Sequence, residues 1–263
     1  DGKSYTGYAG DTLASALLAN GVHLVGRSFK YHRPRGILSA GPEEPNALIR
    51  LGKGAYAEPN LRATQIEIFD GLYAESQNRV PSLFFDIGAI NSVLARFFPA
   101  GFYYKTFMWP ASMWMKYEHV IRHAAGLGKA ADDHNDPDRY EKTHAHCDVL
   151  VAGGGACGLM TALQAGRSGA RVIIADEQNE FGGWLLGEAD IFIDDSPALD
   201  WIAKIIEELA AMPNVTMLPR TTVFGYMDSN YLTLNERVTD HLPERPAHLP
   251  RHRLWKVRAK QTV

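Results

Sequence analysis

Two hydrophobic patterns divide this chain. Before about Asp70 the apolar residues come in short groups separated by glycine and proline, the pattern of a small α+β unit. TLASALLAN places Leu13, Ala16, Leu17 and Asn20 near one helical face, with Asp11 as a natural N-cap and Gly21 as the stop. Val22 to Val25 begin an extended segment, and GRSFKYHRPRGILSAGPEEPNALIRL is mostly loop, ending in a strand-like NALIRL. ATQIEIFDGL predicts an alternating strand with Ile66 and Ile68 on one side and a turn at Asp70-Gly71. From about Ala145 the pattern changes. CDVLVAGGG and ARVIIAD are unbroken apolar runs, as expected of parallel strands covered on both faces, and GLMTALQAGRSG between them reads as helix.

The patterns predict a mixed α/β and α+β chain in three parts. Residues 1–70 form a ferredoxin-like β-grasp unit, 71–144 a helical connector rich in aromatics and Met, and 145–263 a Rossmann-like dinucleotide-binding domain. The connector holds the most apolar stretch, PSLFFDIGAINSVLARFFPAGFYYKTFMWPASMWM. Asp86, Arg96 and Lys105, with prolines at 81, 99 and 110, cut it into pieces shorter than the roughly 18 to 20 residues that span a bilayer. An aromatic core or a subunit interface is expected there, not membrane contact. The polar GKAADDHNDPDRYEKTHAH closes the connector as a domain boundary.

Strand, helix after a G-D-T-L turn, ligand loop, strand is also the order in plant-type ferredoxin domains, which hold a [2Fe–2S] cluster by four thiolates. The first 70 residues contain no cysteine, so the shape is expected without the cluster.

Composition narrows the function classes. A chain of 263 residues, 46% hydrophobic and 22% charged, can build one large core or two smaller ones. A net charge of -3 gives no global attraction to nucleic acid or anionic membrane, and neither is expected as a partner. Cys147 and Cys157 are too few to staple a secreted scaffold; they fit a reducing compartment, and the cytoplasm is expected. The opening DGKSYTGYAG lacks an initiator Met and the regions of a signal peptide, which points to a trimmed chain.

The chemistry concentrates after Val149. Gly153, Gly155 and Gly158 fill the G-x-G-x-x-G positions: a tight turn, close backbone approach to a pyrophosphate, and close packing of helix on strand. The helix N-terminus that follows favours phosphate, and Asp176, at the end of the second strand about 20 residues on, is placed to accept hydrogen bonds from a ribose. Its carboxylate would repel a 2′-phosphate and no arginine follows closely in the chain, which disfavours NADP; NAD and FAD fit equally well. Candidate cofactor contacts are Gly153, Gly155, Ala156, Cys157 and Gly158, then Asp176 and Glu177, and Gly183 of the pair Gly182-Gly183. That second pair has the spacing of two-dinucleotide flavoproteins, but GGWLLGEADIFIDD has no cysteine, which excludes dithiol chemistry there.

No catalytic residue is identified and no metal site is expected. His144, His146 and Cys147 are read as a boundary turn, and Cys157 as a small packing residue. Arg27, Lys30, Arg33 and Arg35 with His32 form a basic cluster interleaved with Phe29 and Tyr31. It is either a solvated loop or a contact for a cofactor phosphate or an acidic partner.

GYAGDTLASALLANGV, RSFKYHRPRGI with EEPNALIRL, and VLVAGGGACGL with ADEQNEFGGWLL resemble the α subunit of heterotetrameric sarcosine oxidase, along nearly the whole chain. Related amine and opine dehydrogenase subunits and hydrogen cyanide synthase share much of the pattern, but those with an iron–sulfur site have cysteines missing here. The resemblance implies a complex that oxidatively demethylates sarcosine to glycine, makes hydrogen peroxide and can pass the one-carbon unit to tetrahydrofolate. It implies NAD on this subunit at Gly153, Gly155, Gly158 and Asp176, with FAD and covalent FMN mainly on a β subunit, the first expected partner. The alternative is a FAD-binding or scaffolding subunit of a related dehydrogenase.

In the resembled family a strand like RLWKVRAKQTV leads into an A-T-G turn beside the dinucleotide. The chain stops before that turn, so an incomplete domain and weak NAD binding by this chain alone are expected.

Overall fold

The computed structural model describes residues 2–97, 101, 109–125, 128, 130–188 and 190–263, and divides into two compact units, 1–137 and 138–263. Pro99 and Lys105 of the connector lie outside the described residues.

In the first unit, helix α1 (Leu13–Ala19) buries Leu13, Ala14 and Ala16. Its N-cap is Thr12, not Asp11: Thr12 and Ser15 form a capping box, while Asp11 sits one residue earlier and accepts from the Tyr8 N–H and the Ser15 hydroxyl. Gly21, at φ +72, ends the helix as expected. A short hairpin joins β1 (Gly26–Arg27) to β2 (Pro34–Arg35), and a three-stranded antiparallel sheet runs β4-β3-β5, from β3 (Leu48–Leu51), β4 (Glu58–Arg62) and β5 (Ala74–Ser76). Leu13, Ala14, Val25, Ala47, Ile49 and Ala63 form the core beneath. The strand predicted around Ile66 is absent: Ala63–Gln65 is a 3-10 turn and Glu67 makes only a lone bridge to Thr12, although Ile66 and Ile68 do pack on the core. The sheet takes β4 and β5 instead, so this unit extends beyond residue 70.

Two residues of the basic cluster, Arg27 and His32, are turned inward. Arg27 donates to the carbonyls of Leu83, Phe84 and His32, and His32 Nδ1 lies 2.7 Å from Asp86, both buried. Arg33 reaches the Ser92 hydroxyl, and Lys30 and Arg33 lie over the Tyr31 ring. These residues fasten the hairpin to residues 80–92. Among its described residues the connector has two α-helices, α2 (Ile90–Val93) and α3 (Trp114–Ala125). Its described aromatics do not form a core: Phe84, Phe85, Phe97 and Trp109 are all exposed. Among the described residues, no helix is long and apolar enough to cross a membrane.

The second unit has a short antiparallel hairpin, β8 (Phe192–Ile193) with β9 (Ser196–Pro197), and a six-stranded sheet in the spatial order Val215–Leu218, Val172–Ala175, Tyr140–Ala152, His252–Thr262, Tyr231–Arg237, Thr221–Met227. Strands β6 (Tyr140–Ala152), β7 (Val172–Ala175), β10 (Val215–Leu218) and β13 (His252–Thr262) are parallel neighbours, and β11 (Thr221–Met227) with β12 (Tyr231–Arg237) extends the sheet as an antiparallel meander. Helices α4 (Ala156–Arg167) and α5 (Ala198–Ala211) cover one face, where Val151, Val172 and Ile174 meet Leu159, Leu163 and Ile202. Leu150, Ile173, Leu218 and Leu232 are buried on the other face. Burial on both faces accounts for the unbroken apolar runs of β6 and β7. Residues 140–146, read as boundary and turn, instead lengthen β6: His144 pairs with Lys256 and His146 with Arg258.

Candidate functional site

Strand β6 ends at Ala152 and the chain turns into α4 through three glycines. Gly153 stands at φ +113, a conformation that favours glycine, and its N–H donates to the Ala175 carbonyl at 2.8 Å. A Cβ on Gly158 would lie 1.9 Å from the Gly153 carbonyl oxygen, so the first turn of α4 rests directly on the loop. Gly154 faces inward, where a Cβ would lie 2.2 Å from the buried Phe181 ring. Gly155 differs: a Cβ there meets nothing within 4 Å. It is the N-cap of α4 and no side chain caps that end, leaving first-turn N–H groups free to meet an anion.

Asp176, at the end of β7, is 9% exposed and turned toward the loop. Its Oδ2 accepts from the Gly154 N–H at 2.5 Å and its Oδ1 from the Gln178 N–H at 2.8 Å. A carboxylate has about four acceptor positions, so two remain for a ligand hydroxyl. Glu177 is half-buried, and its carbonyl accepts from Arg237 of β12. No arginine follows Asp176 closely in the chain, but the fold brings this one alongside, already engaged.

The second glycine pair closes on the first loop. Gly182, at φ +136, donates to the Gly154 carbonyl at 2.8 Å, and a Cβ on Gly183 would lie 3.1 Å from the Gly155 Cα. Gly153, Gly155, Ala156, Gly158, Asp176 and Gly183 thus meet around one loop. Gly154 and Phe181 complete it and were missed in the sequence, which noted Gly182 only as the first of its pair; the middle glycine of GGG was the one signal for Gly154. An open surface over Gly155, an uncapped helix N-terminus and a carboxylate with spare acceptor capacity suit the phosphates and ribose of a dinucleotide.

The two cysteines fall into opposite environments. Cys157, read as a packing residue, is exposed because the first turn of α4 points it outward, whereas Cys147 is buried in β6. Burial pushes the Cys147 thiol up to about 11. Iodoacetamide at about pH 8 is therefore expected to alkylate Cys157 and spare Cys147 until the fold is melted, as read by peptide mass spectrometry. Equal labelling of the native protein would show that β6 opens. Among the described residues, no group of three or more His, Cys, Asp or Glu could hold a metal ion.

Comparison with known proteins agrees with this division. The family described as "2Fe-2S iron-sulfur cluster binding domain" matches residues 1–79, and "FAD dependent oxidoreductase" matches residues 148–229. The first 79 residues contain no cysteine and only two histidines, His23 and His32, with His32 Nδ1 bonded to Asp86. That donor set does not fit a cluster. L-proline dehydrogenase from P. horikoshii shares the fold over 100% of this chain and 38% of its own, with a TM-score of 0.59 and 17% identity. Sarcosine oxidase subunit alpha of Rhizobium meliloti (strain 1021) is 59% identical over 100% of this chain and 26% of its own length. That of Corynebacterium sp. (strain U-96) is 39% identical over 100% of this chain and 23% of its own. Along its full length, and over about a quarter of theirs, the chain is a homologue of the sarcosine oxidase α subunits, components of an oxidoreductase.

Proposed function

We propose that this chain is the dinucleotide-binding part of the α subunit of a multi-subunit sarcosine oxidase, and that it holds NAD. The observation that carries the reading is the joint anchoring of Gly154 and Gln178 by Asp176, beneath a helix N-terminus left open at Gly155. In this reading the N–H groups of the first turn of α4 hold the pyrophosphate, with Ala156 and Cys157 on its path. The spare acceptor positions of Asp176 take the adenosine ribose hydroxyls, Glu177 lies beside them, and Gly183 forms the facing lip. This chain orients the dinucleotide and keeps the loop closed. Oxidation of sarcosine to glycine, with hydrogen peroxide formed and the one-carbon unit passed to tetrahydrofolate, belongs to flavins on a partner β subunit. A cytoplasmic complex agrees with two free cysteines.

A second reading puts FAD in this pocket, in a subunit of a related amine or opine dehydrogenase. The match of residues 148–229 to FAD-dependent oxidoreductases favours it. Denaturing the purified chain and recording the spectrum of what it releases separates the two. Any dinucleotide the chain retains is expected to be oxidised NAD, without a visible flavin band, and stoichiometric flavin would replace NAD with FAD. If the chain purifies empty, titration with each dinucleotide gives the same decision: tighter FAD binding overturns the NAD assignment.

A further inference from the structure

The chain segment between β2 and β3 lies where ferredoxin domains carry their ligand loop, and in this protein it closes around a carboxylate. Glu44 is 1% exposed, yet both of its oxygens are satisfied by backbone. Oε2 accepts from the N–H groups of Leu38 at 2.6 Å and Ser39 at 2.7 Å, and Oε1 from those of Asn46 at 2.6 Å and Ala47 at 3.0 Å. The loop is locked onto the core around it: the Thr64 hydroxyl donates to the Gly41 carbonyl at 2.8 Å and the Ala63 N–H to the Ala47 carbonyl at 2.9 Å, with Ala47, Ala63 and Thr64 all buried.

We propose that the Glu44 side chain is the internal anion around which this ferredoxin-like loop folds, taking the organising place of an iron–sulfur cluster. Backbone N–H groups converging from both ends of a loop form an anion nest, and such nests are found at many iron–sulfur sites. A cluster bound by cysteine thiolates needs sulfur ligands that residues 1–79 do not contain, whereas a nest needs only negative charge at its centre. Burial alone would push the Glu44 carboxyl up, but the four N–H donors outweigh it and hold it below the ordinary glutamate value, so the nest contains a charge at neutral pH. The consequence is a β-grasp unit that keeps its loop without a redox centre and relays no electrons through that loop.

The test combines metal analysis with amide hydrogen exchange on the chain and two variants. After anaerobic incubation with ferrous iron and sulfide, the wild type is expected to hold no stoichiometric iron or acid-labile sulfide. A stoichiometric cluster would overturn the proposal. In the wild type the amides of Leu38, Ser39, Asn46 and Ala47 are expected to exchange slowly. Glu44→Ala is expected to release all four together, locally or by unfolding the unit. Glu44→Gln, nearly the same shape, keeps one accepting oxygen and turns an NH2 group toward the other pair. One pair, Leu38 with Ser39 or Asn46 with Ala47, should stay protected while the other exchanges at least tenfold faster. Wild-type protection of all four amides in either variant would show that the carboxylate does not organise the loop.

Discussion

Gly158→Ala is expected to collapse both the fold around the glycine loop and dinucleotide binding, whereas Gly155→Val is expected to remove binding from an otherwise intact protein. A methyl on Gly158 would sit 1.9 Å from the Gly153 carbonyl oxygen and 3.3 Å from Val151. The nearer atom is backbone, held by the Gly153 N–H bond to Ala175, so it cannot swing aside as a side chain could. Relief requires α4 to lift off β6, at a cost of at least about 2–3 kcal/mol, larger than the roughly 1 kcal/mol that replacing a helical glycine returns. Gly155 has the opposite surroundings. Its φ of -69 and ψ of -176 are extended backbone that valine adopts readily, and a Cβ there meets no protein atom within 4 Å. Losing glycine at the N-cap costs at most about 1 kcal/mol. In the proposed site, however, the valine would occupy the path of the pyrophosphate. An affinity loss of about a hundredfold, or ~2.7 kcal/mol, is expected. Thermal melts and calorimetric titration of both variants provide the comparison. Unchanged dinucleotide affinity in Gly155→Val would mean that the ligand does not cross this loop.

How far the sequence could be read depended on whether the signal was local in the chain. The loop glycines, the apolar runs of β6 and β7 and the acid at the end of β7 all lie within thirty residues, each dictated by its own strand or turn, and the fold places them as their pattern predicts. The contacts of Gly154 with Phe181 and Gly182 have no such local mark. They arise only when the segment after β7 folds back on the loop. Residues 140–146 look like a linker because their side chains are mostly polar and exposed, but a strand in an extended sheet is held by its ladder, and β13 supplies it. At α1 two adjacent residues could each have capped the helix, and only the backbone path decided for Thr12 over Asp11. Ile66 and Ile68 show the opposite error: their alternation reports burial against α1 correctly, yet their segment bends through a 3-10 turn and joins the sheet nowhere. The aromatic connector shows a third limit, since its hydrophobicity predicts burial but not by what: the described Phe84, Phe85 and Trp109 are exposed in this chain, which sets aside the core and leaves the subunit interface as the expectation.

Asp240→Asn is expected to destabilise residues 138–263 by about 3 kcal/mol and to flatten their acid sensitivity. Asp240 accepts from Arg251 Nε at 2.8 Å and lies 2.9 Å from His252 Nε2, with Arg245 3.8 Å away. Both arginines also reach Asp138, so two acids and two arginines tie residues 240–251 to the start of β6. Removing one charge from a buried network leaves its partners under-compensated, usually at about 3–5 kcal/mol. The lower end applies here because 23% of the Asp240 side chain meets solvent and Asp138 still holds Arg251. Burial by itself would raise the Asp240 carboxyl, but the His252 hydrogen bond and the charges of Arg251 and His252 outweigh it and hold the group well below the ordinary carboxylate range. The sign follows from linkage: with the folded value lowered, the unfolded chain takes up the proton first. The stabilisation is complete above the ordinary aspartate value, near 4, and drains away as pH falls through it toward the folded value. The wild type should therefore melt roughly 10 °C above Asp240→Asn at neutral pH. That gap should narrow as the buffer is taken from about pH 5 to about pH 3. A gap that stayed constant over this range would mean that the network holds Asp240 by shape alone, and that its charge contributes nothing to the stability of this unit.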